Sequence, residues 1–237
     1  MIEKFRGFVL GHTDLSSSRA VVALFTQTGG KRSGVLRLTK KQSRACLTPL
    51  TCLEFHLSGK EQAELKRMDE VDLLYHHYDK ASEYTGLALL QHWASLVNYS
   101  QPGEHEDVKV FRLINHSVLS FGGSTGPQAY PLLNLYFEVW LLHFCGVLPR
   151  IRQAQAPQTP DDDHRWDEIM KLWRMLHSPL LVEIFQSRIE DLMLNRLNLG
   201  SLSASHQILG RMWEIFLARN LEPRKRLLNL FEQRCLL

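Results

Sequence analysis

The stretch GVLRLTKKQSRACLTPLTCLEFHLSG (34–59) decides the fold class. In its first part Leu36 and Leu38 fall on one face, and Val35, Arg37 and Thr39 on the other. In its last part Leu53, Phe55 and Leu57 alternate with Glu54 and His56. Successive side chains of a strand point to opposite faces, so this period of two marks half-buried strands. Upstream, FRGFVLGH (5–12) and RAVVALFTQ (19–27) are also strand-like, bounded by turn signals at Asp14 with Ser16 to Ser18 and at Gly29-Gly30. A weaker segment near 64–72 completes about five short strands. That number in so short a stretch suits a small closed barrel, because closure removes unpaired edges.

Past residue 75 the period changes to 3.6. Tyr78, Leu90, Trp93 and Val97 share one helical face, and Val108, Phe111, Ile114, Val118 and Phe121 form a second stripe. Segment 131–148 is apolar nearly all round and predicts a buried central helix ended by Gly146 and Pro149. A polar loop at 152–164 follows, then a helix from near Trp166 with Ile169, Met170 and Trp173. Ser178-Pro179 signals another helix through about Leu197. Gly200 separates it from two more, one bearing Leu209, Met212, Trp213 and Phe216 and one beginning near Pro223. The expected class is α+β: a barrel domain over 1–75 and an all-α helical domain over 76–237.

The 237 residues hold 44% hydrophobic content and near-balanced charge, which excludes disorder, collagen and coiled coil. The most apolar stretch is interrupted by Asn134, Glu138 and His143, which argues against a membrane span. MIEKFRGFVL lacks the pattern of a secretory leader, and a cytoplasmic location is expected. Cys46, Cys52, Cys145 and Cys235 form no C-x-x-C pair and read as reduced thiols, mostly packed.

Charge is unevenly placed. Lys4, Arg6, Arg19, Lys31, Arg32, Arg37, Lys40, Lys41 and Arg44 oppose only Glu3 and Asp14, a balance of +7 over residues 1–44 in a chain of net +3. Lys31, Arg32, Arg37, Lys40, Lys41 and Arg44 fall in a run without an acid, the footprint of polyanion binding. They neutralise phosphates rather than read bases, and Phe5, Phe8, Phe25 and Phe55 fit core positions, so little base stacking is expected. A second basic group, Arg211, Arg219, Arg224, Lys225 and Arg226, extends that surface, binds an acidic protein tail, or, at least for Arg219, reflects the ordinary preference for cations near a helix C-terminus.

Catalytic patterns are missing. Asp161, Asp162, Asp163 and His164 precede a helix and read as capping residues, and His76-His77 beside Asp79 are likewise too close in sequence to converge on one ion. His12 and His56 have no partner at metal spacing. GGSTGP (122–127) lacks the lysine of a phosphate loop and reads as a helix–helix connection. The five tryptophans lie on apolar helical stripes and are expected in the core. No catalysis, metal or cofactor is expected.

With these residues in view, the chain resembles the bacterial recombination-mediator and DNA-repair family RecO. The likeness rests on RGFVLGHTDL (6–15), ALFTQTGGKRSGVLRLTKKQSRA (23–45) and LTPLTCLEFHLSG (47–59) in the barrel. In the helical part it rests on VFRLINHSVLSF (110–121), YFEVWLLHFCGVLP (136–149) and LEPRKRLLNLF (221–231). The resemblance implies an N-terminal OB-fold that binds single- and double-stranded DNA and promotes strand annealing. It also implies a RecR partner and loading of a RecA-type recombinase onto DNA coated with single-stranded-DNA-binding protein. Two departures stand out. Many relatives carry a four-cysteine zinc motif after the Gly-x-x-Pro turn, whereas Gly146 to Pro149 leads here into RIRQAQAPQTPDDD, without cysteine. Some relatives have basic residues ahead of the central Phe-Glu step that help hold the partner's acidic tail; here stand Asn134, Leu135 and Tyr136. The competing expectation is a protein-interaction adaptor whose helical domain docks a partner and whose barrel charge is incidental.

Overall fold

Five strands, β1 (Glu3–Ser16), β2 (Arg19–Thr26), β3 (Gly30–Arg37), β4 (Cys52–Ser58) and β5 (Lys66–Tyr75), close into a barrel in the order β1-β2-β3-β5-β4. The computed structural model describes residues 3–38, 44–59, 65–123, 127–148, 164–176, 179–187, 199–219 and 221–234. All pairings are antiparallel except β3 with β5, which run parallel. This is the arrangement of an OB-fold, and the chain as a whole is α+β. The long β1 serves two neighbours: Glu3 to Phe8 pair with β4, and Gly7 to Ser16 with β2. A register shift between Val9 and Gly11 bends it around the barrel.

The alternation read from the sequence fills the interior. Phe5, Val9, Ala20, Val22, Leu24, Leu36, Leu53, Phe55, Leu57 and Met68 form one buried cluster, with Phe5 and Phe55 stacked at 5.9 Å. Phe8 and Phe25 are cross-strand partners, fully buried but outside that cluster. The Phe8 ring packs against Phe111 at 5.1 Å and Tyr75 at 5.9 Å, so this wall is covered.

The chain divides into two units, Met1–Ile114 and Asn115–Leu237. The first gathers the barrel with α1 (Tyr78–Ala81), α2 (Tyr84–Ser100) and the start of α3 (Val108–Gly123). Asp107 caps α3, its Oδ1 accepting from the backbone N–H groups of Lys109 and Val110 at 2.9 and 3.0 Å. In the second unit α4 (Tyr130–Phe144) is buried nearly all round, as its composition predicts. The others are α5 (His164–Leu176), α6 (Pro179–Gln186), α7 (Leu199–Leu217) and α8 (Glu222–Arg234). The helix expected from Pro179 through about Leu197 ends at Gln186, and residues 188–198 lie outside the described ones. Gly200, expected between helices, sits in the first turn of α7, where backbone N–H groups have no intrahelical acceptor to lose. Trp93 and Trp213 are fully buried, while the side chains of Trp166 and Trp173 are outside the described set. Among the described residues no helix is long and apolar enough to cross a membrane.

One buried ion pair organises the second unit. Arg224 on α8 donates from Nε and Nη2 to the two carboxylate oxygens of Glu138 on α4, at 3.0 and 2.8 Å. Asn134 Nδ2 donates to the same carboxylate at 2.9 Å, and Arg224 Nη2 also donates to the His206 carbonyl at 2.6 Å. Glu138 is wholly buried and Arg224 is 4% exposed, so each charge depends on the other for solvation. Arg224→Met leaves the Glu138 carboxylate buried and unpaired; urea denaturation of the full chain is expected to show a loss of about 3–5 kcal/mol. A loss below about 1 kcal/mol would contradict that reading of the pair.

Candidate nucleic-acid interface

Strand alternation separates two faces on β2, β3 and β5. Ala20, Val22, Leu24, Leu36 and Met68 turn into the core, which puts Arg19, Val21, Ser33, Val35, Arg37 and Arg67 on the outer wall. Register then brings the arginines together. Arg19 lies directly opposite Arg37 across the β2–β3 hairpin, and the parallel β3–β5 pairing sets Arg67 opposite Val35, two residues from Arg37. Arg19 and Arg37 are both exposed. Arg67 is 73% exposed and reaches Asp69 at 2.8 Å, an exposed pair too weak to withdraw it from a stronger anion. The Ser58 hydroxyl bonded to Asp69, with Arg67 as a lesser cause, holds that carboxyl below its ordinary range.

The neighbouring β4–β5 wall has the opposite character. Glu54 faces Asp72 in register, Lys4 is bridged to Glu54 at 2.6 Å, and Glu70 approaches His56 at 3.4 Å. Carboxylates thus gather on this wall, beside the one that carries the arginines.

Toward the Gly30 end of β3 lies a pocket of about 340 Å³ lined in part by Lys31, Arg32, Ser33 and Lys66. Lys31 donates its Nζ to the Asn98 carbonyl at 2.9 Å, and burial holds its amine below the ordinary lysine value. Arg32 is bridged to Glu104 at 2.6 Å, with its guanidinium 5.9 Å from the Phe5 ring centre. The expected basic run is thus not one uniform patch. Arg37 stands on the open wall, Lys31 and Arg32 line the pocket, and Lys40 and Lys41 lie outside the described residues. Arg44 begins a short 3-10 turn (Arg44–Leu47), its side chain again outside the described set.

Arg19, Lys66 and Arg67 were not among the expected contacts. Arg19 is separated from the run by the whole β2–β3 hairpin. Lys66 and Arg67 belong to a strand whose weak alternation hid its partner, although a Lys-Arg pair opening a strand was the available signal.

The second basic group does not form one surface. Arg224 is the buried partner of Glu138, because a cation facing the apolar interior of a bundle needs a carboxylate there. Arg211 is bound to Glu168 by two hydrogen bonds of 3.1 and 2.9 Å, and lies 3.8 Å from Glu214. Arg219 and Lys225 share an open pocket with these acids, and Arg226 is exposed. Asn134, Leu135 and Tyr136, which stand where some relatives are basic, are buried.

No group of three or more His, Cys, Asp or Glu suited to a metal ion occurs among the described residues. Cys46 and Cys52 are buried and their thiols are pushed up chiefly by desolvation, which makes them poor nucleophiles. Asp161 to Asp163 lie outside the described residues, and His164 is the first residue of α5.

Barrel topology and the composition of its walls define an OB-fold protein with an appended helical part. Residues 1–77 match the domain family described as recombination protein O N terminal. The chain is also 29% identical over 152 residues to the DNA repair protein RecO of Koribacter versatilis (strain Ellin345), a match covering 63% of this chain and 61% of that relative's length.

Arg19 directly opposite Arg37 is a like-charge cross-strand pair, which weakens a sheet. Arg37→Thr is therefore expected to stabilise the isolated protein by about 0.2–1 kcal/mol in urea denaturation. A loss of stability would show that the arginine contributes packing that outweighs its repulsion.

Proposed function

We propose that the chain is a non-catalytic DNA repair and recombination mediator that binds single- and double-stranded DNA on the outer β2–β3–β5 wall. The observation that carries this reading is the convergence of Arg19, Arg37 and Arg67 from three strands onto one exposed face. A protein selected only for stability gains nothing from opposed arginines, whereas a bound phosphate offsets their repulsion. The wall offers no exposed aromatic platform among these strands, so the binding is electrostatic and tolerant of sequence.

The kinship with RecO extends the proposal to the wider role: strand annealing, partnership with RecR, and loading of a RecA-type recombinase on DNA coated with single-stranded-DNA-binding protein. Catalysis has no part in it. Holding two strands by their phosphates lowers their mutual repulsion while leaving base edges free to pair, which is what annealing requires.

Fluorescence anisotropy of a labelled single-stranded oligonucleotide, titrated at several salt concentrations, tests the reading. With about five cations engaged, the slope of log K against log salt is expected near −3.5. Reversing Arg19, Arg37 and Arg67 to Glu should weaken binding at least about 100-fold at low salt, with circular dichroism unchanged. Unchanged affinity in that variant would overturn the proposed face and favour the adaptor reading of the helical part.

A further inference from the structure

The segment between α2 and α3, Gln101 to Asp107, lies against the basic end of the barrel. Its two ends are fixed by helix termini. The Gln101 N–H donates to the Val97 carbonyl at 3.1 Å as α2 finishes, and Asp107 caps α3. Its middle is pressed on the β2–β3 hairpin: Gly30, at φ +62°, is so near His105 that an added Cβ would sit 2.2 Å from the His105 carbonyl oxygen. These contacts hold Glu104 over the pocket independently of its charge. Glu104 is 74% exposed, yet its carboxylate meets Arg32 at 2.6 Å. Among the described lining residues it is the one carboxylate, beside Lys31, Arg32 and Lys66.

A carboxylate held on an arginine at the end of a phosphate-binding wall occupies the place that a phosphate oxygen would take. We infer that Gln101 to Asp107 is an acidic strap, and that Glu104 is a determinant of DNA affinity which competes with backbone phosphate for Arg32. The inference rests on the DNA-binding reading above and deepens it. With the strap in place, DNA engages the Arg19, Arg37 and Arg67 wall first. Continuation of the strand into the pocket requires Arg32 to exchange Glu104 for phosphate, after which Lys31 and Lys66 flank the same phosphate group. The exchange is nearly isoelectric, because one anion replaces another on the same guanidinium. It therefore contributes little to affinity and limits how tightly a strand is held, as a protein that must hand DNA on requires.

The test is anisotropy with the full chain and a labelled single-stranded oligonucleotide across a salt series. Glu104→Gln should bind about 2- to 5-fold tighter at low salt, the factor that the strength of an exposed ion pair converts to. Its salt slope should steepen by up to about 0.7, since one more phosphate is then neutralised without displacing a carboxylate. Glu106→Gln removes the same charge from the neighbouring exposed position and should give a smaller gain. Adding Arg32→Ala to Glu104→Gln should abolish the gain. Binding by Glu104→Gln equal to wild type, a gain matched by Glu106→Gln, or a gain that survives Arg32→Ala would each overturn the strap while leaving the DNA face intact. Absence of binding by wild type and variants alike would overturn the DNA reading and the strap with it.

Discussion

The parallel pairing of β3 with β5 is the constraint on which the barrel and its basic wall depend. Among the described residues three pairs make it, Gly34 with Lys66, Val35 with Arg67 and Leu36 with Met68, and without them the sheet has two open edges. Gly34 permits the approach: a Cβ there would lie 2.6 Å from Met68 Cγ and 3.0 Å from Leu57 Cδ2. A strand residue without a side chain weakens a sheet locally, and here that allows Met68 to complete the core. The same three pairs carry Arg67 to the outer wall and Lys66 to the pocket, so closure and charge placement are one event.

Elsewhere the molecule separates rigidity from electrostatics. The barrel interior is apolar, and on β2 and β3 the outward-facing residues stand clear of it. That freedom permits Arg19 and Arg37 to stand opposed, an arrangement unfavourable to folding and favourable to anion capture. Charge inside the second unit is treated oppositely. Arg224 and Glu138 are buried, mutually satisfied and further bonded to Asn134 and the His206 carbonyl, so they specify how helices meet rather than what they bind.

Much of this was legible in the residues, and the failures have physical causes. Period two over 34–59, with the strand-like runs 5–12 and 19–27, is dictated by burial on one face and survives in the sequence, so four strands and the barrel were readable. β5 was faint because its outer face mixes Arg67, Asp69 and Asp72 with the exposed Leu73 and Leu74, which blurs alternation. A parallel partner far along the chain leaves no local mark, so Arg67 and Lys66 were not recognised as part of the site. Arg224 shows the converse: in a basic run it reads as surface, because sequence proximity to Lys225 and Arg226 says nothing of the opposite helical face. Glu104 was equally hidden, since its role comes from where Gly30 and His105 meet.

The central claim is that one wall of the barrel, assembled by strand register, receives the nucleic acid. Photo-cross-linking of the full chain to a photoactivatable single-stranded oligonucleotide, with the attachment sites mapped by mass spectrometry, addresses it most directly. Cross-links are predicted in β2, in β3 and in the first residues of β5, with few in β4. Cross-links confined to β4 or to residues 115–237 would contradict the account.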